Sequence, residues 1–239
     1  MMRASARRGV TLIEILVVIA IISVVTIGLV AGSHQLPSAR LKRSATLLAG
    51  AVKVAFTRAT AVSRPERLVF DFDEGAVWLE ESDTDVLVQK NDKTGTGGAE
   101  AETDAERAAV AKALEETQTF IKGPTAPRPR FKKVDALSER DVRDKKGVRM
   151  LPDGIIFREV ITPHDATPAT SGHGYLYFWP EGMTERAVIQ LQIKGDRSDS
   201  AVLSVQVSPL TGRVHVKSGP FEFPTVGNDS LSEREDPGW

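Results

Sequence analysis

Few residues in this chain have the types and the spacing that catalysis or metal binding requires. His164 and His173 share a loop rich in proline, threonine and glycine with Asp165, which makes a conceivable ligand set for a metal ion. Side chains of a solvated loop are the simpler interpretation, so we predict no metal site there. Two aspartate pairs could hold calcium, but both lie where turns favour aspartate in any case: Asp71 with Asp73, and Asp196 with Asp199.

Motifs of nucleophilic catalysis and phosphate binding are absent from the sequence. The chain has no cysteine, which excludes a thiolate zinc site, a cysteine nucleophile and a disulfide framework. No serine lies in a G-x-S-x-G turn, and residues 95–98 (GTGG) lack the lysine that would follow in a phosphate-binding loop. The sequence therefore predicts a protein that is not an enzyme and uses no cofactor.

The most unusual charged residue is Glu14, because it lies in a long apolar run at residues 10–30 (VTLIEILVVIAIISVVTIGLV). As a helix this run spans about 32 Å, enough to cross a hydrocarbon core of about 30 Å. A carboxylate at mid-membrane costs roughly 2.5–3.5 kcal/mol, so Glu14 either reaches the headgroups or needs a cationic partner. Three basic residues precede the run and favour a cytoplasmic N-terminus: Arg3, Arg7 and Arg8.

A secretory signal peptide is the competing interpretation of this run. The small residues Ala31, Gly32 and Ser33 at its end would suit signal cleavage. The apolar region of a signal peptide is usually only about 7–15 residues long, however, so a membrane-spanning helix over residues 10–32 is the better prediction.

The junction of Arg8-Gly9 with Val10-Thr11-Leu12-Ile13-Glu14 resembles the prepilin signature of type IV pilins and type II secretion pseudopilins. The resemblance implies a leader peptide at residues 1–9, which a membrane aspartyl peptidase removes by cutting between Gly9 and Val10. It also implies that the new amine of Val10 is methylated. Glu14, at the fifth mature position, would neutralise the amine of a neighbouring subunit during assembly. Family members usually have phenylalanine or methionine where this chain has Val10.

Three further segments resemble the H-type (GspH/FimT-like) minor pseudopilins: LVFDFDEGAVWLE, FWPEG and SPLTGRVHV. The resemblance implies a minor pseudopilin of a type II secretion pseudopilus, anchored once in the bacterial inner membrane with its globular domain in the periplasm. Its expected partners are other pseudopilins, the prepilin peptidase, inner-membrane lipid and the secretion assembly platform, with a secreted substrate as a further candidate. The alternative is a minor type IV pilin that serves pilus assembly or DNA uptake.

Beyond the membrane run, apolar residues recur at helical spacing as far as Phe56, and Ser63-Arg64-Pro65 ends the pattern. The sequence therefore predicts that the helix continues through residues 33–63. Gly28, Gly32 and Pro37 predict a bend or local melting near its middle.

The rest of the chain is rich in predicted strands. A hairpin is expected over residues 67–73 and 76–81, and further strands are expected at residues 155–162, 175–179, 187–193, 201–208 and 213–217. Several of them alternate apolar and polar residues, which predicts one buried face and one wet face. Together these elements predict an α+β, pilin-like fold, a long helix packed on an antiparallel β-sheet domain at residues 67–223.

Residues 82–146 interrupt the strand pattern with glycine-rich and proline-rich stretches. Thr103 and Glu106 are spaced as a capping box, which predicts one short helix through about Glu116. Because only Val110 and Leu114 offer apolar anchors on that helix, we expect an inserted loop on which the sheet does not depend. The polar tail at residues 224–239 is expected to be disordered.

Basic residues are frequent between positions 40 and 67, and a solvated helix face is the simplest interpretation of them. DNA contact is the alternative, since phosphate binding needs only a basic stripe. The formal net charge of −1 and the scarcity of aromatic residues in this region make a nucleic-acid partner the weaker prediction.

Overall fold

The computed structural model describes residues 12–33, 35–88, 90, 92–118, 128–137 and 147–221. Two helices come first, α1 (Leu12–Ser33) and α2 (Gln35–Val62), which confirms the predicted helix over these two ranges. By its internal contacts the chain divides into two compact units, Met1–Ala39 and Arg40–Trp239, and each is described by itself below.

Helix α1 is apolar on all sides. It has 22 residues, and Glu14 in its first turn is its one charged residue. Between Leu12 and Val24, the large apolar side chains are between 48% and 85% exposed. Such a helix needs lipid or other helices around it, because burial of apolar surface is what stabilises a helix of this composition.

The described residues of the second unit form ten strands and a third helix, α3 (Asp104–Gln118). The strands in chain order are β1 (Glu66–Asp71), β2 (Ala76–Ser82), β3 (Phe131–Val134), β4 (Val148–Met150), β5 (Ile155–Ile161), β6 (His173–Trp179), β7 (Met183–Thr184), β8 (Ala187–Ile193), β9 (Val202–Val207) and β10 (Val214–Ser218). All the strand pairs are antiparallel. The α+β class is therefore confirmed.

The strands form two sheets, where the sequence led us to expect one. The first sheet has the order β3-β2-β1-β6-β7, with β4 also paired to β2, and the second has the order β10-β9-β8-β5. One face of each sheet and the buried face of α2 share a single core. Leu48, Val52 and Ala55 of α2 are fully buried in it, so α2 is the core helix of this domain although its apolar composition alone would allow it to span a membrane.

The prediction of one wet face for the alternating strands is wrong for most of β8 and β9, and the centre of the first sheet is buried on both faces too. All six residues of β1 are buried. The reason is a second apolar cluster on the outer face of the first sheet, which includes Trp78, Val86 and Tyr177. On the second sheet, the backbone carbonyls of Gly219 and Phe221 accept hydrogen bonds from Ser204 and Gln190, so the chain after β10 covers that outer face too.

Two of the segments that carry the family resemblance form turns that meet on α2. A Cβ atom at Gly212, in the SPLTG turn, would lie 2.6 Å from ring atoms of Phe56, and one at Gly182, in the FWPEG turn, would lie 4.0 Å from the same ring. The backbone N–H of Thr184 donates to the carbonyl of Pro209 and joins the two turns. These turns therefore hold α2 against both sheets.

The segment at residues 82–146 contributes to the sheet and is more than a loop. Its strand β3 pairs with β2 over Leu79–Ser82, and its residues Val86 and Ala99 are buried. The backbone N–H of Glu106 donates to Thr103 Oγ1 and the N–H of Thr103 donates to Glu106 Oε2, which confirms the predicted capping box. We expected only two apolar anchors, Val110 and Leu114, to attach this segment, but a strand pairing and buried polar contacts attach it to the sheet as well.

Candidate functional site

Glu14 lies in the first turn of α1, between exposed apolar residues on both sides, Ile13 and Ile15. A carboxylate in this position interacts favourably with the positive end of the helix dipole. The same carboxylate is unfavourable in a membrane, because placing an ionised group in hydrocarbon costs free energy. Gly9 and Val10, the predicted cleavage junction, lie outside the described residues.

The basic residues at the C-terminal end of α2 are engaged by carboxylates of the first sheet. Arg58 Nε lies 2.8 Å from Glu66 Oε1, and its Nη2 donates to Glu81. Arg64 lies 3.1 Å from Glu81 and 2.8 Å from Asp83. These pairs fix the end of the helix to β1 and β2, so these two arginines do not present the free basic stripe that DNA contact would need.

Glu66 is fully buried, and among the described residues neither of its carboxylate oxygens accepts a hydrogen bond of good geometry. Burial raises the pKa of Glu66 from 4.5 to about 8, although the nearby Arg58 opposes the shift. The raised pKa favours the protonated form of Glu66 beside Arg58 Nε.

Arg67 is the centre of a buried polar network on the outer face of the first sheet. Its side chain is 1% exposed, its Nε donates to Glu80 at 2.8 Å, and its Nη2 pairs with Glu102. The guanidinium carbon lies 4.2 Å from the ring centroid of Phe131 and 4.4 Å from that of Tyr175. Because Glu102 and Phe131 belong to the segment at residues 82–146, one buried arginine joins that segment to β1.

Two tyrosines extend this network to the loops of the same segment. The hydroxyl of Tyr175 donates to Glu106 at 2.8 Å, and the hydroxyl of Tyr177 donates to the carbonyl of Thr96 at 2.6 Å. Burial raises the pKa of Glu102 to about 7, and the nearby charges of Glu80 and Glu106 add to the shift although Arg67 opposes it. One signal of this network is visible in the sequence, because a hairpin closed at residues 71 and 76 places Arg67 directly opposite Glu80.

His164 is 1% exposed, so the interpretation of it as a solvated loop residue is wrong. Its Nδ1 lies 2.9 Å from Glu185, and its ring lies against that of Tyr177. Burial alone would lower the pKa of His164, but the hydrogen bond and charge of Glu185, with Asp165 nearby, raise it above the usual value. His173 has a different partner, since its Nε2 lies 3.7 Å from Asp71 Oδ2. The structure therefore does not bring the two histidines into one ligand set.

The two aspartate pairs behave as turn residues. Asp71 Oδ1 accepts the backbone N–H groups of Asp73 and Glu74, and Asp196 Oδ1 accepts the N–H of Ser198. Within the described ranges, no group of three or more histidine, aspartate or glutamate side chains is placed to hold a metal ion. The charged clusters of the domain are thus explained by its internal packing.

Comparison with known proteins bears mainly on the N-terminal segment. Residues 4–30 match the family model described as the prokaryotic N-terminal methylation motif. No curated protein matches the chain at a significant level. Among solved structures, two of the minor pseudopilin EpsH from the type 2 secretion system of Vibrio cholerae are similar at 12% identity, with TM-scores of 0.40 and 0.39. The alignments cover 77% of this chain and 99% and 96% of those chains, but the scores are too low to carry an argument.

The matched motif contains the predicted cleavage junction, Glu14 and most of α1. By its N-terminal segment the chain is therefore similar to proteins that carry the prokaryotic N-terminal methylation motif.

Proposed function

We propose that this chain is a minor pseudopilin of a type II secretion system. Prepilin peptidase cuts it between Gly9 and Val10, the amine of Val10 is methylated, and α1 then anchors it in the inner membrane. The N-terminus is cytoplasmic before cleavage, and the domain from Arg40 onward lies in the periplasm. Its role is structural: it assembles with other pseudopilins on the secretion platform to support export across the outer membrane.

The observation that carries the proposal is a prepilin-type motif over residues 4–30 joined to a 22-residue apolar helix with a single carboxylate. The apolar helix supplies the surface that lipid or neighbouring helices would cover. Glu14 supplies the negative charge that a neighbour's N-terminal amine would neutralise, and that pairing would offset the cost of a carboxylate within hydrocarbon.

Glu14→Val tests this role directly. The variant should insert in the membrane at least as well as the wild type, because a costly charge is gone, yet it should fail to join pseudopili. Glu14→Asp keeps the charge and should retain part of the assembly. Membrane extraction with carbonate measures insertion, and cross-linking to the other pseudopilins measures assembly.

Ser23→Val is the matched control, since Ser23 is the polar residue of α1 whose hydroxyl donates to the carbonyl of Ile19 at 2.8 Å. This variant also makes the helix more apolar but leaves Glu14 in place, so it should assemble normally. Normal incorporation of Glu14→Val would mean that the carboxylate only reaches the headgroups, and the proposed pairing would be wrong.

Deletion of the gene separates the secretion role from its alternatives. Exoprotein release, twitching and transformation are assayed side by side in the deletion strain. Loss of secretion alone supports the pseudopilus. Loss of twitching or transformation instead would indicate a minor type IV pilin for pilus assembly or DNA uptake.

A further inference from the structure

The basic residues of α2 and of the turn after it differ in their surroundings. No acidic residue occurs between Glu14 and Glu66, so this helix brings only positive charge. Arg58 and Arg64, at its C-terminal end, are held in ion pairs with the sheet. A second group, which we call the basic cluster, consists of Arg40, Lys42 and Arg43 at the start of the domain.

All three side chains of the basic cluster are exposed, and in the described part of the chain none of them lies in an ion pair. The opposite face of the same turns is buried in the core through Leu41, Ser44 and Ala45, so the cations are held on the outside of the domain.

The surroundings of the cluster add to its positive charge. Arg40 Nη1 donates to the carbonyl of Asp153 at 3.2 Å, which places it beside the turn after β4. Arg149 of β4 is close enough that the charge of Arg43, together with burial, lowers the pKa of Arg149. Asp153 is the one acidic residue of the Pro152–Gly154 turn. Like charges gathered at one place on an exposed surface are stabilised by an anionic partner.

The position of the cluster in the chain indicates which anion is available. Arg40 follows the end of α1 at Ser33 by seven residues, a stretch that reaches at most about 25 Å even when fully extended. The connection from the end of α1 therefore keeps the cluster within reach of the phosphate groups of anionic lipids.

Resting on the proposed membrane anchoring of α1, we propose that Arg40, Lys42 and Arg43 bind the phosphates of anionic phospholipid headgroups and dock the domain on the membrane surface. Pairing with these phosphates keeps the subunit close to the bilayer before it assembles. Duplex DNA offers the same phosphate chemistry, but chain connectivity holds this cluster next to lipid, whereas Arg58 and Arg64 farther along the chain are already paired with carboxylates.

The absence of cysteine makes a direct test possible, because Thr46→Cys introduces a unique labelling site one turn beyond the cluster, at an exposed position. The full-length chain, labelled there with a donor fluorophore, is inserted into vesicles that carry a headgroup-labelled acceptor lipid. The vesicles contain phosphatidylcholine alone or with about 30% phosphatidylglycerol. Energy transfer reports the docked fraction.

Energy transfer should be higher with the anionic lipid and should fall in about 1 M NaCl. The variant Arg40→Gln/Lys42→Gln/Arg43→Gln should lower the ratio of docked to undocked domain by about fivefold for each cation removed. The control Lys53→Gln/Arg197→Gln/Arg213→Gln removes the same charge from other exposed positions of the domain and should dock like the wild type.

Insertion is measured on the same vesicles by resistance to carbonate, so two failures are distinguishable. Failure of α1 to insert would overturn the proposed anchoring, and the docking with it. Normal insertion with equal energy transfer in both lipid mixtures, or in both triple variants, would overturn the docking alone. Unchanged energy transfer in the cluster variant, combined with loss of salt-sensitive binding to duplex DNA, would identify nucleic acid as the partner.

Discussion

Arg67→Met removes the centre of the buried network and should be the most costly single substitution on the outer face of the first sheet. Glu80, 4% exposed, would remain buried without its cation. Removal of one partner of a buried ion pair typically costs about 3–5 kcal/mol, and the methionine side chain recovers little of this although it fills similar volume. Two cation–π contacts, to Phe131 and Tyr175, are lost as well. Against a total stability of about 5–15 kcal/mol, this is a large fraction.

The assay is urea unfolding of the full chain in detergent micelles, followed by tryptophan fluorescence, because Trp78 and Trp179 pack in the affected cluster. Arg64→Met is the matched control: Arg64 pairs with carboxylates near the surface, and its loss should cost less than about 1 kcal/mol. Adding Glu80→Gln to Arg67→Met should restore part of the stability, since the orphaned charge is gone while an acceptor for Trp78 remains. Equal costs for Arg67→Met and Arg64→Met would refute the reasoning.

Three further predictions follow from the domain. Because the pKa of Glu66 is raised from 4.5 to about 8, Glu66 stabilises the folded domain most below pH 4.5, and this stabilisation is lost as the pH rises to 8. Glu66→Gln should therefore flatten the decline of the unfolding free energy between these pH values, and an unchanged profile would contradict this. Gly212 has a φ of +59°, and a Cβ atom there would lie 2.6 Å from the ring of Phe56, so Gly212→Val should lower the free energy of unfolding by about 2–4 kcal/mol. Urea unfolding should show a clearly smaller loss for Gly195→Val, because a Cβ atom at Gly195 meets nothing within 4 Å. Replacement of residues 83–145 by a Gly/Ser linker should broaden or abolish the cooperative thermal transition; a sharp transition at the original temperature would show that the segment is dispensable.

The fold was largely predictable where local pattern and tertiary structure agree. β8 has the predicted bounds because VIQLQI alternates cleanly, and the β1–β2 hairpin follows from the turn at Gly75, whose φ is +64°. Strand β3 has no such signal. Its four residues, FKKV, are half polar and follow a proline-rich stretch, and they are extended because they pair with β2. Pairing partners far apart in sequence cannot be read from a short segment.

The buried charges were the least predictable part of the domain. Arg67 was counted among solvated basic residues because composition does not show what will cover it. The residues that contact the Arg67 side chain and help to bury it include Glu102 and Phe131, which lie 35 and 64 positions later in the chain. His164 likewise lies in a loop whose sequence is typical of a solvated turn, and only its tertiary contact with Glu185 explains its burial. Buried polar groups of this kind depend on partners that no local periodicity indicates.

The Gly9–Val10 junction and Glu14 are identified from the sequence alone. Cleavage at the junction and methylation of Val10 remain predictions. The central claim is tested most directly by the N-terminus of the mature protein. The chain is co-expressed with a prepilin peptidase, purified from membranes and measured by mass spectrometry, with an uncleavable Gly9→Leu variant as the control. We expect the wild type to begin at Val10 and to carry one added methyl group, and the control to keep its leader. A mature protein that begins near residues 31–33, or one that retains residues 1–9 beside an active peptidase, would contradict the account.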